Sequence, residues 1–131
     1  MDSPVIVTAA VIERDGSYLL ARRPEGTHLA GHWEFPGGKC EEGETPEQCL
    51  EREIMEELGV KAVAGREIFR TRYRYPDRFL ELRFLACTLA GTPSPQQGQA
   101  VRWVARADLG TLMFPPADAE FVERLLRVGE R

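Results

Sequence analysis

The sequence predicts one domain of the α+β class, or more specifically an α/β/α sandwich. Several extended segments alternate apolar and polar residues, and two segments carry apolar residues at helical spacing. A chain of 131 residues with 43% hydrophobic content is long enough for one core, so we expect residues 1–131 to form a single domain.

The N-terminal part of the chain predicts strands separated by polar turns. The apolar, β-branched run from Val5 to Ile12 predicts a central strand, and Tyr18 to Ala21 predicts a second strand. Asp15-Gly16 is typical of a hairpin turn, so we expect these two strands to pair. A polar loop from 25 to 32 then leads to a turn at Gly37-Gly38, where two glycines let backbone approach closely.

A helix is predicted after this turn. Thr45-Pro46-Glu47-Gln48 has the pattern of a capping box with proline at the first helical position. Gly59 suits the left-handed residue that ends a helix. The helix would bury an apolar stripe formed by Leu50, Ile54 and Leu58.

Three glutamates cluster on the same predicted helix. Glu53, Glu56 and Glu57 stand at i, i+3 and i+4, so a helix places all three carboxylates on one face. Hard cations such as Mg²⁺ or Mn²⁺ prefer clustered carboxylate oxygens. The alternative is a solvated acidic surface, which for these three residues alone is the more common outcome.

The rest of the chain predicts three strands and a second helix. The segments from Val63 to Tyr75 and from Phe79 to Leu89 alternate around a turn at Pro76, and Val101 to Val104 is a short strand. Asp108-Leu109 predicts a short helical turn. A terminal amphipathic helix from Ala117 to Val128 has an inner face of Phe121, Val122, Leu125 and Leu126.

Charge and cysteine usage restrict the partners. A net charge of −4 excludes a generic electrostatic nucleic-acid binder, so an anionic substrate must meet local Arg or Lys and metal. The N-terminal region predicts neither a signal peptide nor a membrane span. Cys40, Cys49 and Cys87 are odd in number and lack CxxC spacing, so we expect reduced thiols in a cytoplasmic protein rather than a disulfide or a zinc site.

The stretch around the predicted helix resembles a long and specific motif, the Nudix box. The matching positions, at the spacings of that motif, are Gly38, Glu44, Arg52-Glu53-Ile54, Glu56-Glu57 and Gly59-Val60. In Nudix hydrolases the glutamates bind divalent metal, which activates water against a nucleoside diphosphate linked to another group. The resemblance also implies a mixed β-sheet between helices.

The resemblance implies roles for individual residues. Glu53, Glu56, Glu57 and the Gly37 carbonyl would hold two or three Mg²⁺ ions (or Mn²⁺), while Gly38 shapes the loop beside the substrate. Arg52 would orient a glutamate by ion pairing. Glu53 is the first choice for the general base, and Glu44 is a weaker choice.

Other segments resemble the MutT branch of this family, which hydrolyses nucleoside triphosphates such as 8-oxo-dGTP to the monophosphate and pyrophosphate. A sister group prefers CTP and modified cytidine nucleotides. Both groups act on small nucleotides, and we expect a monomer or weak dimer. The resembling segments are Trp33–Lys39, Gly43–Gln48, Tyr75–Arg78, Gly98-Gln99 and Phe114–Ala117.

The MutT resemblance suggests residues that bind the substrate. Arg23 would meet the phosphate next to the sugar, although a surface arginine at a strand end is an equal alternative. Phe35 and the turn with Asp77 and Arg78 would line a nucleoside pocket, although Arg78 fits plain turn chemistry as well. Lys39 would meet a phosphate or simply be solvated. His28 and His32 are assigned no chemistry.

Two positions depart from the MutT pattern. Asp118 stands where that branch has an asparagine, and the cytidine-preferring group also has Asp there; a helix N-cap is an equal alternative. Gln97 stands where a metal-binding glutamate is usual, so another carboxylate substitutes, the alignment shifts, or turnover is slower. A non-catalytic nucleotide-binding Nudix module and an ADP-ribose hydrolase are the remaining rivals.

Overall fold

The computed structural model describes residues 3–128 and places the chain in two sheets and two layers of helix. Its elements, in chain order, are β1 (Val5–Val11), β2 (Glu13–Arg14), β3 (Ser17–Arg22), β4 (Trp33–Glu34), β5 (Gly37–Lys39), α1 (Pro46–Leu58), β6 (Ala62–Tyr75), β7 (Arg78–Leu89), β8 (Val101–Ala105), a 3₁₀ helix (Arg106–Thr111) and α2 (Pro116–Val128).

The first sheet is mixed, as the resemblance implied. Its strand order is β5-β1-β7-β6, with β1 parallel to β7 and the other pairs antiparallel. In the second sheet β3 is central and pairs with β2, β4 and β8. The predicted glycine turn has its bend at Pro36, whereas Gly37 and Gly38 themselves belong to strand β5, which pairs with the central strand β1 and contacts α1.

The two helices pack on opposite faces of the mixed sheet. The stripe of α1 is fully buried against residues of β1 and β7, including Ala10 and Leu85. On the other face, Phe121 and Val122 of α2 pack against β1 and β7, with the Phe84 and Phe121 rings 4.3 Å apart. The predicted α/β/α sandwich is confirmed, and each helix buries the apolar face expected from its sequence.

The predicted caps of α1 are also confirmed. The Gln48 N–H donates to Thr45 Oγ1 (3.1 Å), and the Thr45 N–H donates to Gln48 Oε1 (3.0 Å). Gly59 ends the helix in the left-handed region with φ 62°. Within the described residues, no helix is both long and apolar enough to cross a membrane.

The predicted N-terminal hairpin is wrong in its pairing. Strand β1 joins β5 and β7, and only the two residues of β2 pair with β3. The Leu19 N–H donates to the Ile12 carbonyl at the point where the chain passes from one sheet to the other. The Asp15-Gly16 turn sets only the local reversal, whereas burial of β1 between two helices selects its partners.

The cysteine prediction is also wrong. Cys40 and Cys49 form a disulfide, and only Cys87 is a thiol within the described chain. The two cysteines are nine residues apart, but the turn into α1 brings their Cα atoms to 5.2 Å, within the range that a disulfide spans. An odd number of cysteines therefore did not indicate that all three are reduced.

Candidate active site

A cavity of about 550 Å³ opens beside the glycine turn, between the start of α2 and the turn that joins β6 to β7. Carboxylates and glycines line one end, and aromatic and cationic side chains line the other. Its lining includes Arg23, His28, Glu34, Phe35, Gly37, Gly38, Lys39, Glu53, Glu57, Tyr75, Asp77, Arg78 and Asp118. The fold thus brings most of the predicted site residues to one cavity.

Glu57 lies at the carboxylate end, directly against the glycine turn. The Gly37 N–H donates to Glu57 Oε2 at 3.2 Å. Burial raises the pKa of Glu57 to about 8, and the charges of Glu34 and Glu53 add to the shift. When Glu57 ionises, its carboxylate therefore adds to the negative charge of Glu34 and Glu53.

Glu53 is the second carboxylate at this end. Its side chain rests on the α-carbon of Gly38, and a Cβ at that glycine would lie 2.2 Å from Glu53 Oε1. Burial raises the pKa of Glu53, although its hydrogen bond from Arg52 opposes the shift. A side chain at position 38 would therefore displace this carboxylate from its place.

Arg52 connects the helix to the loop before it. Its Nε donates to Glu44 Oε2 (2.7 Å), and one terminal nitrogen reaches both Glu53 Oε2 (2.9 Å) and Glu56 Oε2 (2.7 Å). The hydrogen bonding from Arg52 to Glu44, helped by the Glu41 N–H, lowers the pKa of Glu44 to about 2. Glu56 is half-exposed at the rim and is not among the residues lining the cavity.

A divalent cation fits this donor set. Among residues 3–128, no three His, Cys, Asp or Glu side chains already have the geometry of a metal site. Glu53 and Glu57 nevertheless supply hard oxygen ligands, and a cation between them would favour the ionised form of Glu57, which burial and the neighbouring negative charges disfavour. The assignment of Glu56 and of the Gly37 carbonyl as ligands stays a prediction.

Glu34 is a residue that the sequence analysis missed. It is partly buried beside Arg23, whose Nη1 lies 3.1 Å from Glu34 Oε2. Burial raises the pKa of Glu34, and its charge acts on both Glu57 and Asp118. The sequence feature that could have indicated Glu34 is its position between two aromatic residues, three residues before Gly37-Gly38.

Gln97 lies outside the cavity. Its side chain is exposed, while its N–H donates to Gln99 Oε1 (2.9 Å), and the Gln99 amide donates to the Glu57 carbonyl (3.2 Å). This loop therefore supports the end of α1 without adding a carboxylate. Among neighbouring carboxylates, Glu34 has the largest effect of charge on the pKa of Glu57.

The other end of the cavity is aromatic and cationic. Phe35 is a core residue whose ring packs against Phe84, Phe114 and Phe121. His28 meets Tyr75 edge-on, with ring centroids 5.3 Å apart, and its carbonyl accepts a hydrogen bond from Arg23. The paired side chains of Asp77 and Arg78 lie at the entrance.

Asp118 closes this end, and the alternative that it is an N-cap is wrong. Helix α2 begins at Pro116, so Asp118 lies in its first turn, with its side chain buried in the cavity. The Tyr75 hydroxyl accepts from the Ala117 N–H at 3.1 Å and satisfies one of the open amides of this helix. Burial, together with the charge of Glu34, raises the pKa of Asp118 well above its ordinary value.

Replacing Asp118 with Asn should stabilise the protein at neutral pH. Because the folded-state pKa of Asp118 is raised, its contribution to stability is fully present below pH 4 and is lost as pH rises toward that raised pKa. Asn does not titrate and keeps an oxygen for the Phe35 N–H. We expect the variant to melt several degrees higher than wild type at pH 7 and at nearly the same temperature at pH 4. Thermal unfolding across this pH range is the measurement, and a constant difference would contradict it.

Comparison with known proteins identifies the family. The NUDIX domain family profile matches residues 7–124. The chain is 40% identical to the 8-oxo-dGTP diphosphatase of Haemophilus influenzae, covering 96% of this chain and 95% of that protein. It is 36% identical to the CTP pyrophosphohydrolase of Escherichia coli, covering 92% and 90% respectively.

A solved structure agrees with the sequence relatives. The solution structure of the E. coli ORF135 protein superposes with a TM-score of 0.82 at 36% identity, covering 92% of this chain and 87% of that one. The shared fold, the complete Nudix box and the cavity lined by carboxylates all point to the same family. The chain therefore belongs to the NUDIX domain family and is a Nudix hydrolase.

Proposed function

We propose that this chain is a nucleoside triphosphate pyrophosphohydrolase of MutT type, with 8-oxo-dGTP as its first candidate substrate. One observation carries the proposal: a single cavity combines partly buried carboxylates at one end with an arginine and aromatic rings at the other. This arrangement matches a ligand with a charged phosphate chain and a flat base. The relatives named 8-oxo-dGTP diphosphatase span nearly the whole chain.

Nudix hydrolases generally use divalent metal, and here Glu53, Glu57 and the Gly37 carbonyl, with Glu56 at the rim, would hold Mg²⁺ or Mn²⁺. When bound, the metal neutralises phosphate charge and lowers the pKa of a bound water. Arg52 holds Glu53 in place, and Glu44 holds Arg52. We assign Glu53 the role of general base and Glu44 a positioning role, because a carboxyl with a pKa of about 2 is a weak base.

The proposed roles in substrate binding are supported by the positions of these residues in the lining of the cavity. Arg23 and Lys39 would contact the phosphates, and Phe35 with the Asp77-Arg78 turn would enclose the nucleoside. The Arg23 guanidinium is held by Glu34 on one side, which limits the positions it can take. Asp118 would contact the edge of the base, where a protonated carboxyl both donates and accepts a hydrogen bond.

A cytidine substrate is the alternative, and Asp118 is the observation that favours it. The cytidine-preferring group also has Asp at this position, and the carboxyl oxygens of Asp118 can accept a hydrogen bond from the amino group of cytosine. They can equally accept from the N1 and N2 edge of guanine, so measured substrate rates, and not Asp118 alone, separate the two bases. The relative named CTP pyrophosphohydrolase is similar over the same part of the chain.

A substrate panel tests the proposal. Initial rates are measured with Mg²⁺ for 8-oxo-dGTP, dGTP, dCTP, 5-methyl-dCTP and ADP-ribose. We expect kcat/KM for 8-oxo-dGTP to exceed that for dGTP by about tenfold or more, since one gained hydrogen bond in a dry pocket is worth that much. Faster hydrolysis of the cytidine nucleotides supports the alternative, and no triphosphate hydrolysis rejects both.

We propose that the protein acts as a monomer or weak dimer on a free nucleotide in the cytoplasm. Sedimentation at several protein concentrations measures the first point, and localisation of a tagged full chain measures the second.

A further inference from the structure

The disulfide joins the two parts of the candidate active site. Cys40 follows β5 directly, and Cys49 lies in the first half of α1. The segment between them contains Thr45, which caps α1, and Glu44, which holds Arg52. The crosslink therefore joins the end of β5 to α1, the helix that carries Glu53, Glu56 and Glu57.

The two sulfur atoms differ in their access to solvent. Cys40 is partly exposed and lines a second, shallow cleft of about 340 Å³, together with Lys39, Glu41 and Arg83. Cys49 is completely buried, with its Sγ 3.3 Å from the hydroxyl of the buried Thr8. An external thiolate can therefore reach the sulfur of Cys40 but not that of Cys49.

The surroundings of Cys49 suit a leaving thiolate. The Thr8 hydroxyl can donate to the departing sulfur, and the amino-terminal half of α1 favours negative charge. Once reduced, the Cys49 thiol can donate to the Gly38 carbonyl, from which its sulfur is 3.7 Å away. The capping box and the pair between Arg52 and Glu44 use no cysteine atom, so reduction should loosen the loop without unfolding it.

We propose that Cys40 and Cys49 form a reversible thiol–disulfide site, and that the disulfide orders residues 38–45, which comprise the end of β5 and the loop that leads into α1. A thiolate of a dithiol reductant attacks Cys40 Sγ, the S–S bond breaks and Cys49 leaves as a thiolate. The second thiol of the reductant then releases Cys40, so the protein gains two electrons and the reductant becomes a disulfide.

A hydroperoxide reverses the step. The Cys40 thiolate attacks the peroxide oxygen and forms a sulfenic acid, releasing an alcohol or water. The Cys49 thiol then displaces water from the sulfenic acid and restores the disulfide. This site does not depend on the proposed hydrolysis, since neither step uses the nucleotide cavity.

Thiol counting tests the chemistry. The full chain is treated with hydrogen peroxide or with dithiothreitol, then denatured and alkylated, and the added mass is measured. We expect one alkylated cysteine, Cys87, after mild peroxide and three after reduction. The control variant Cys87→Ser should keep the two-cysteine difference, and Cys40→Ser should remove it. Equal thiol counts after both treatments would overturn the proposal.

Amide hydrogen exchange tests the ordering of the loop. Without metal or nucleotide, we expect the amides of residues 38–45 to exchange about tenfold faster in the reduced protein, while those around Phe121 in α2 stay unchanged. Identical exchange of this loop in both redox states would overturn its ordering by the disulfide. Neither readout involves turnover, so a failed hydrolysis proposal and a failed redox proposal give different results.

Discussion

Replacing Glu57 with Gln is expected to lower kcat of Mg²⁺-dependent nucleoside triphosphate hydrolysis by about 100-fold or more. The amide has almost the same shape, but it removes a negatively charged ligand from the carboxylate end of the cavity. The Gly37 N–H can still donate to the amide oxygen, so the glycine turn should keep its geometry. Steady-state release of pyrophosphate is the measurement.

Stability separates this effect from misfolding. Because the pKa of Glu57 is raised to about 8, ionising it in the metal-free protein costs stability as pH rises toward that value. Metal-free Glu57→Gln should therefore be at least as stable as wild type at pH 8. Glu47→Gln, an exposed change on the same helix, is the matched control and should leave kcat unchanged. Equal activity of all three proteins would show that the carboxylate assignment is incorrect.

Replacing Gly37 with Ala is expected to lower the free energy of unfolding by about 3 kcal/mol. A Cβ at this position would lie 2.0 Å from the Thr8 carbonyl oxygen and 3.0 Å from the Ala9 α-carbon. These are backbone atoms of the paired central strand, so they cannot turn aside as a side chain can. Strand β5 would have to move away from β1, and the cavity would open with it.

Gly43→Ala is the matched control for this change. Gly43 also has a positive φ, +87°, but a Cβ there would meet nothing within 4 Å. We expect it to lose only about 1 kcal/mol, the conformational cost of an alanine with positive φ. Chemical denaturation of the three proteins gives both values. Similar losses for the two variants would mean that close approach to Thr8 is not what requires glycine at position 37.

Local patterns were enough to predict helix α1, its caps and its buried face. The capping box from Thr45 to Gln48, the stripe of Leu50, Ile54 and Leu58, and Gly59 all depend on residues within a few positions of one another. For the same reason the placement of Glu53 and Glu57 on one face could be predicted. The family resemblance added the mixed β-sheet between the helices, which the structure contains.

Predictions that depended on distant partners were less successful. The partners of β1 were wrong because burial on both faces, and not the Asp15-Gly16 turn, selects them. Glu34 was missed because its importance comes from Arg23, Glu57 and burial. The pairing of Cys40 with Cys49 was missed because a turn between them shortens their separation.

Neighbouring residues along the chain were sufficient to predict both helices, the caps of α1 and, through the resemblance, the family. Only folding buries Asp118 in the cavity, where its pKa is raised, and brings Glu34 into the same cavity as Glu57. Helical periodicity and capping are set by neighbours along the chain, so they can be read from it. Burial and charge at a site are sums over residues far apart in sequence, so they exist only once the chain is folded.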